Sequence, residues 1–314
     1  MTSLRTLGSS DLQVFPLSLG GNVFGWTADE DQSFAVLDAY AAAGGNFVDT
    51  ADSYSAWIEG NRGGESETVI GKWLASRSNR SDIVVATKVG AHPDYKGLSA
   101  ATVKGAAEAS LRRLGTDHID LYYTHFDDET VPVEEIITAL DQLVREGKVR
   151  HIAASNISPE RLRASLDFSE REGLARYVAL QPHYNLVSRD TYEGALQDTA
   201  AHAGLAAVPY YALASGFLTG KYRPGTTVES ARSAKAGGHL ESEQGRKVLA
   251  ALDRIAADRN AETATVALAW LAAQPTVAAP IASARTVEQL PALVAVADLE
   301  LTDQEVALLT EASA

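Results

Sequence analysis

"IDLYYTHFDDETVPVEEIITALDQLVREGKVRHIAASN", residues 119–156, contains a whole strand–helix–strand unit. Residues 119–125 are mostly apolar or aromatic on both faces, the pattern of a strand covered on two sides. A helix follows over 132–146. Pro132 sits near its first turn, and Glu134 and Glu135 lie beside the positive end of its dipole. Ile136, Ile137, Leu140, Leu143 and Val144 make one apolar stripe, and Gly147 supplies the stop. Residues 149–156, "VRHIAASN", then read as the next strand. Two strands joined through a helix run parallel.

The same unit recurs on either side. Further strands are expected at 17–21, 46–50, 82–89, 178–185, 205–213 and 276–283, with helical patterns between them. Ser158 and Pro159 cap one helix, and "TDQE" (302–305) is a capping box for another. Eight strand–helix units at a spacing of roughly 30 residues point to an α/β protein with a (β/α)8 barrel. The expectation is one domain over 1–314, with extra C-terminal helices. "LRTLGSSDLQVF" (4–15) alternates around a Gly-Ser-Ser turn and reads as a β-hairpin plugging the barrel bottom. A polar loop at about 223–240 is either a lid or plain surface.

The net charge of −14 argues against nucleic acid as a partner, because phosphates would be repelled by most of the surface. There is no cysteine, hence no disulfide and no thiolate site. The start lacks an apolar signal-peptide core, and no stretch approaches the ~18 apolar residues of a membrane span. A cytoplasmic protein with no membrane partner is expected.

In a barrel, the C-terminal strand ends share one mouth, and that mouth holds the active site. Three successive strands end there in ionisable residues: Asp49, Lys88 and His125. Tyr54 follows Asp49 on the same rim. Such a set suits proton donation to a carbonyl. A free phenol has a pKa near ~10. A lysine cation about 4 Å away, at an effective dielectric near ~20, would favour phenolate by roughly 4 kcal/mol. The phenol would then titrate as low as ~7, with burial opposing the shift. Asp49 would hold Lys88, and His125 would orient the substrate oxygen. The hydride must come from a cofactor.

These blocks, together with "LGGNVFG" (19–25), "DTADSY" (49–54), "ATKVG" (86–90), "YYTHFDD" (122–128), "LQPHYN" (180–185), "LTGKY" (218–222) and "PIASARTVEQL" (280–290), resemble the aldo-keto reductases. These are NADPH-dependent oxidoreductases built on a (β/α)8 barrel, and the resemblance covers nearly the whole chain. It implies a catalytic tetrad of Asp49, Tyr54, Lys88 and His125, and reduction of aldehydes or ketones to alcohols. A Rossmann site is not indicated, since "LGGNVFG" has the wrong glycine spacing. The resemblance instead lays NADPH across the barrel mouth, with Gly21, Asn22 and Asp49 among its contacts. It assigns Ser155, Asn156 and Gln181 to the carboxamide, and Tyr210 to stacking on the nicotinamide. Leu213, Ser215, Gly216 and Lys221 would strap the pyrophosphate. Ser283, Arg285 and Gln289 would meet the adenosine end. Arg285 favours NADPH over NADH, and Arg232 adds a further contact. Thr286 and Gln289 also form a T-x-x-Q capping box, which gives Gln289 a second reading. Two departures stand out. Ala292 and Leu293 replace a Glu-Asn pair frequent in relatives, and Tyr211-Ala212 replaces Ser-Pro in the strap.

Trp26 and Trp57, with Tyr54, His125 and Tyr184, are candidates to wall an apolar carbonyl pocket. Three other readings stay open at this stage. Lys88 could form a Schiff base, as in an aldolase. His125 with Asp127 and Asp128 could serve a metal-dependent hydrolase, although the remaining histidines suggest no ligand set, and no metal is expected. Finally, some relatives are nicotinamide-binding regulatory subunits of channels.

Overall fold

The computed structural model describes residues 3–223, 225 and 233–314. Arg232 and most of the 224–232 stretch lie outside the described residues. In chain order the strands are β1 (Arg5–Thr6), β2 (Gln13–Val14), β3 (Ser18–Gly20), β4 (Phe47–Asp49), β5 (Val84–Val89), β6 (Ala91–His92) and β7 (Tyr95–Lys96). They continue with β8 (Ile119–Thr124), β9 (Val149–Ser155), β10 (Tyr177–Gln181), β11 (Ala206–Ala207) and β12 (Ile281–Ala282). The helices are α1 (Glu30–Ala42), α2 (Glu65–Arg77), α3 (Ala100–Leu114), α4 (Val133–Arg145), α5 (Pro159–Glu172) and α6 (Ala195–His202). After them come α7 (Ser233–Glu241), α8 (Glu243–Arg259), α9 (Thr263–Ala272), α10 (Pro291–Val294) and α11 (Asp303–Ala312).

Eight parallel strands form one curled sheet in the order β11-β10-β9-β8-β5-β4-β3-β12, with helices between successive strands. Backbone bonds join its two ends: Ala278 N donates to Ala207 O at 2.9 Å, and Ile281 N donates to Pro209 O at 2.8 Å. This is the (β/α)8 arrangement expected from the repeating unit. β11 and β12 are much shorter than the expected 205–213 and 276–283. Pro209 and Pro280 interrupt them, because a proline has no N–H to give to the ladder. Residues 233–240, expected within a polar loop, belong to α7 instead.

The packing follows strand alternation. Leu121 and Tyr123 join the barrel interior with Phe47, Ala86, Ala153 and Val178. Tyr122 faces the helices with Val48, Val85, Ile152 and Leu180. The hairpin β1–β2 closes the barrel bottom, sending Leu7, Leu12 and Val14 into the interior cluster. Its tip can lie there only because residue 8 is glycine. Gly8 has φ +58°, and a Cβ on it would meet Val178 O at 2.1 Å. Helix ends also follow the sequence. Ser158 accepts from Arg161 N with Pro159 opening α5, and Thr302 and Glu305 close their capping box. The 286–289 box does not form: Gln289 Oε1 accepts from Arg285 N at 2.9 Å, and Thr286 makes no side-chain cap. Among the described residues, no helix is long and apolar enough to cross a membrane.

Candidate active site

The parallel register brings every strand terminus to one mouth. Asp49, Ser155 and Gln181 are the last residues of β4, β9 and β10, Lys88 is one short of the end of β5, and His125 directly follows β8. Lys88 is fully buried, and its ammonium has three N–H groups to place. It donates to Asp49 Oδ2 at 2.6 Å, Thr50 O at 2.7 Å and Tyr54 Oη at 3.0 Å. All three protons are therefore spent, one of them on the phenol. Burial alone would lower the lysine pKa, but Asp49 and Tyr54 outweigh it and raise the value above the ordinary one. A cation held in this way is a poor amine nucleophile, which counts against the Schiff-base reading.

Tyr54 departs from its expectation. Burial raises its pKa above 10, despite the opposing pull of Lys88. The cost of placing a phenolate away from water outweighs the attraction of the cation. The phenol is thus protonated and loaded at neutral pH. His125 lies beside it, with ring centroids 6.0 Å apart. Burial, with Lys88 nearby, pushes His125 down to about 3, so its imidazole is neutral. Its Nδ1 is buried and meets no partner among the described residues.

Around this centre the other expected residues divide into groups. Gln181 Nε2 donates to Asp49 Oδ1 at 2.8 Å, and Ser155 Oγ donates to Gln181 O at 2.8 Å. Asn156 Nδ2 donates to Ser155 Oγ at 3.0 Å and to His125 O at 2.8 Å. Tyr210 Oη donates to Asn156 Oδ1 at 2.7 Å. These residues form one connected cluster with the tetrad. Gly21 adjoins it, since a Cβ there would lie 3.1 Å from Asp49 O. A second group sits where β12 meets β3: Ser283 Oγ donates to Asn22 Oδ1 at 2.7 Å, with Arg285 and Gln289 just beyond. A third is the 211–221 strap. Its backbone is left-handed at Tyr211, Ala214, Ser215 and Gly216, whereas Leu213 packs its side chain against the core. Lys221 folds back over the strap, so that a Cβ on Gly216 would lie 3.3 Å from Nζ. A tightly turned backbone with a cation beside it suits a diphosphate.

Trp57 stacks edge-on against both Trp26 (5.5 Å) and Tyr54 (6.2 Å). Phe126 lies parallel to His125 at 4.7 Å and, like Trp57, is about half exposed. Phe126 was not singled out from the sequence, although its position directly after His125 was a usable signal. Tyr184 does not wall the pocket. It is fully buried, donates to Glu193 Oε1 at 2.7 Å and packs on Trp270. Asp127 and Asp128 have other duties. Asp127 takes a two-pronged bond from Arg161, and Asp128 accepts from Leu98 N and Thr130.

A sequence model of the Aldo/keto reductase family matches residues 16–314. The chain belongs to this family. It is 35% identical to the uncharacterized oxidoreductase YrpG of Bacillus subtilis, over 96% of this chain and 92% of that protein. It is 31% identical to Protein tas of Escherichia coli, over 95% of this chain and 94% of the relative. A protein of Phanerodontia chrysosporium named aryl-alcohol dehydrogenase (NADP(+)) is also 31% identical, over 96% of this chain and 83% of its own length. The chain is thus an aldo/keto reductase family oxidoreductase.

Proposed function

We propose that this aldo/keto reductase reduces aldehydes or ketones to alcohols, with NADPH as hydride donor and Tyr54 as the acid. The observation that carries the reading is the fully buried Lys88, which gives one of its three N–H bonds to the Tyr54 hydroxyl and another to Asp49. NADPH, when bound, would supply a hydride for the carbonyl carbon. The protein supplies the proton and the orientation. Tyr54 Oη is protonated at rest and gives its proton to the carbonyl oxygen as negative charge builds there. Lys88 then faces the phenolate left behind and stabilises it. Because the cation is fixed in advance, this stabilisation needs no rearrangement. Neutral His125 serves as a hydrogen-bonding group and not as a competing acid. Asp49 keeps Lys88 in place.

Ser155, Asn156 and Gln181 offer amide and hydroxyl groups suited to a carboxamide, with Tyr210 beside them. The strap with Lys221 suits the pyrophosphate. Ser283, Arg285 and Gln289 would hold the adenosine end, with Arg285 favouring a 2′-phosphate. The relative named for NADP(+) supports this cofactor. The aromatic arc of Trp26, Trp57 and Phe126 suits apolar carbonyl substrates.

The test is consumption of NADPH and of NADH by the purified protein against a panel of aliphatic and aromatic aldehydes, ketones and sugars. Turnover with NADPH is expected, and no turnover with any carbonyl would overturn the reading. Arg285→Ala should raise the Kd for NADPH about tenfold or more, as loss of a charge-assisted phosphate contact does, and leave NADH nearly unchanged. Equal effects on both cofactors would remove the 2′-phosphate assignment.

A further inference from the structure

Gln181 is 2% exposed, and its carboxamide points its N–H at the catalytic carboxylate. Asp49 has two oxygens and two different partners: Oδ1 accepts from Gln181 Nε2 at 2.8 Å, and Oδ2 accepts from Lys88 Nζ at 2.6 Å. A carboxylate gripped at both oxygens cannot rotate about its terminal bond without breaking one grip. Gln181 is itself fixed. It ends β10 in register with Ser155, whose hydroxyl donates to the Gln181 carbonyl. An unbroken line of contacts therefore runs Tyr210–Asn156–Ser155–Gln181–Asp49–Lys88–Tyr54. It joins the residues offered to the nicotinamide end with the proton donor.

We propose that Gln181 is a positioning residue of the proton donor. By clamping Asp49 it fixes where Lys88 stands against Tyr54, in addition to any contact it makes with cofactor. Ionised Asp49 can only accept hydrogen bonds, so the amide must present its nitrogen. If that donor is lost, a buried oxygen has no partner and the carboxylate is free to turn. The Lys88–Tyr54 contact then loosens, although every member of the tetrad is still present. The proposal rests on the reductase reading given above.

The test is a double-mutant cycle of Gln181→Met and Asp49→Asn, with kcat measured at saturating NADPH and Kd for NADPH measured by fluorescence titration. Gln181→Leu is a second variant of similar size that loses the donor. For both Gln181 variants kcat is expected to fall about tenfold or more, with an enlarged solvent isotope effect because proton transfer has become slower. In the Asp49→Asn background, Gln181→Met should cost little further, since its effect passes through Asp49. If Gln181 only grips cofactor, Kd rises while kcat and the isotope effect stay at wild-type values, and the proposal is overturned. Additive losses in an active protein overturn it equally. The same cycle read by urea unfolding of the cofactor-free protein reports the Gln181–Asp49 contact independently of turnover. Coupling there with an inactive wild type would sink the reductase reading and the positioning role together, leaving only the contact.

Discussion

The short segment 49–54 feeds a buried charged cluster on each face of the barrel wall. On the inner face, Asp49 meets Lys88, with Tyr54 and Gln181 completing the set. On the outer face, Asp52 lies near Glu67 of α2 and Arg113 of α3. Thr87, the neighbour of Lys88, donates to Glu67 Oε1 at 2.5 Å, and Arg113 Nε donates to Glu67 Oε2 at 2.6 Å. The inner cluster balances one acid with one cation, and both oxygens of its acid are paired. The outer cluster sets two acids against one cation. Among the described residues, neither oxygen of Asp52 has a hydrogen-bond partner. Burial, aided by Glu67, pushes the Asp52 carboxyl up to about 8. The difference separates two uses of buried charge. In the function proposed above, the inner cluster keeps its charges in order to tune a proton donor. The outer one sheds a charge by holding a proton, and it affects stability more than chemistry.

The contrast can be broken most severely at Lys88. Lys88→Met should lower kcat for carbonyl reduction by about 10²–10⁴-fold. It should also destabilise the fold by about 3–5 kcal/mol, because Asp49 is left buried without its cation. Steady-state rates with NADPH and urea unfolding would check both, and a small effect on kcat would erase the distinction between the clusters.

Asp52→Asn should act in the opposite direction. Native Asp52 keeps its proton up to about 8, whereas an unfolded aspartate loses it near ~4. Unfolding therefore releases a proton between these values, and stability contributed at this site falls as pH rises from about 4 to about 8. The variant should flatten that slope and gain on the order of a few kcal/mol over wild type at pH ~8, less any cost of burying the amide. Unfolding curves at acid and mildly alkaline pH would decide the matter, and parallel slopes in the two proteins would show that Asp52 is ionised.

The smallest effect is expected at Tyr122, whose hydroxyl is buried near the outer acids and has no partner among the described residues. Tyr122→Phe should change stability by less than about 1 kcal/mol and leave kcat unaltered. A marked loss of kcat would mean that the outer cluster takes part in catalysis.

The inner cluster was largely legible in the sequence, and the outer one was not. Asp49, Lys88 and His125 each end an apolar strand, so their shared mouth follows from the parallel order alone. Asp52 reads locally as a turn residue. Its partners arrive from α2 and α3, and no pattern within 49–54 announces them. The Gln181–Asp49 bond spans 132 residues and is likewise invisible to spacing. The alternation in "YYT" does show that Tyr122 and Tyr123 face opposite ways, but not what each one meets. The apolar runs place the strands but overextend β10, β11 and β12, which end before Pro182 and Pro209 or begin after Pro280. The direction of the phenol's shift is not legible in the sequence, because a pairwise attraction follows from spacing whereas burial requires the fold.

The central claim is that Tyr54 is the acid, loaded at neutral pH and stabilised by Lys88 once its proton has left. Its most direct test is Tyr54→Phe, with kcat for carbonyl reduction and Kd for NADPH measured on the same preparation. The account predicts a loss of kcat of about 10²–10⁴-fold with NADPH binding nearly intact. Full turnover by Tyr54→Phe would contradict it.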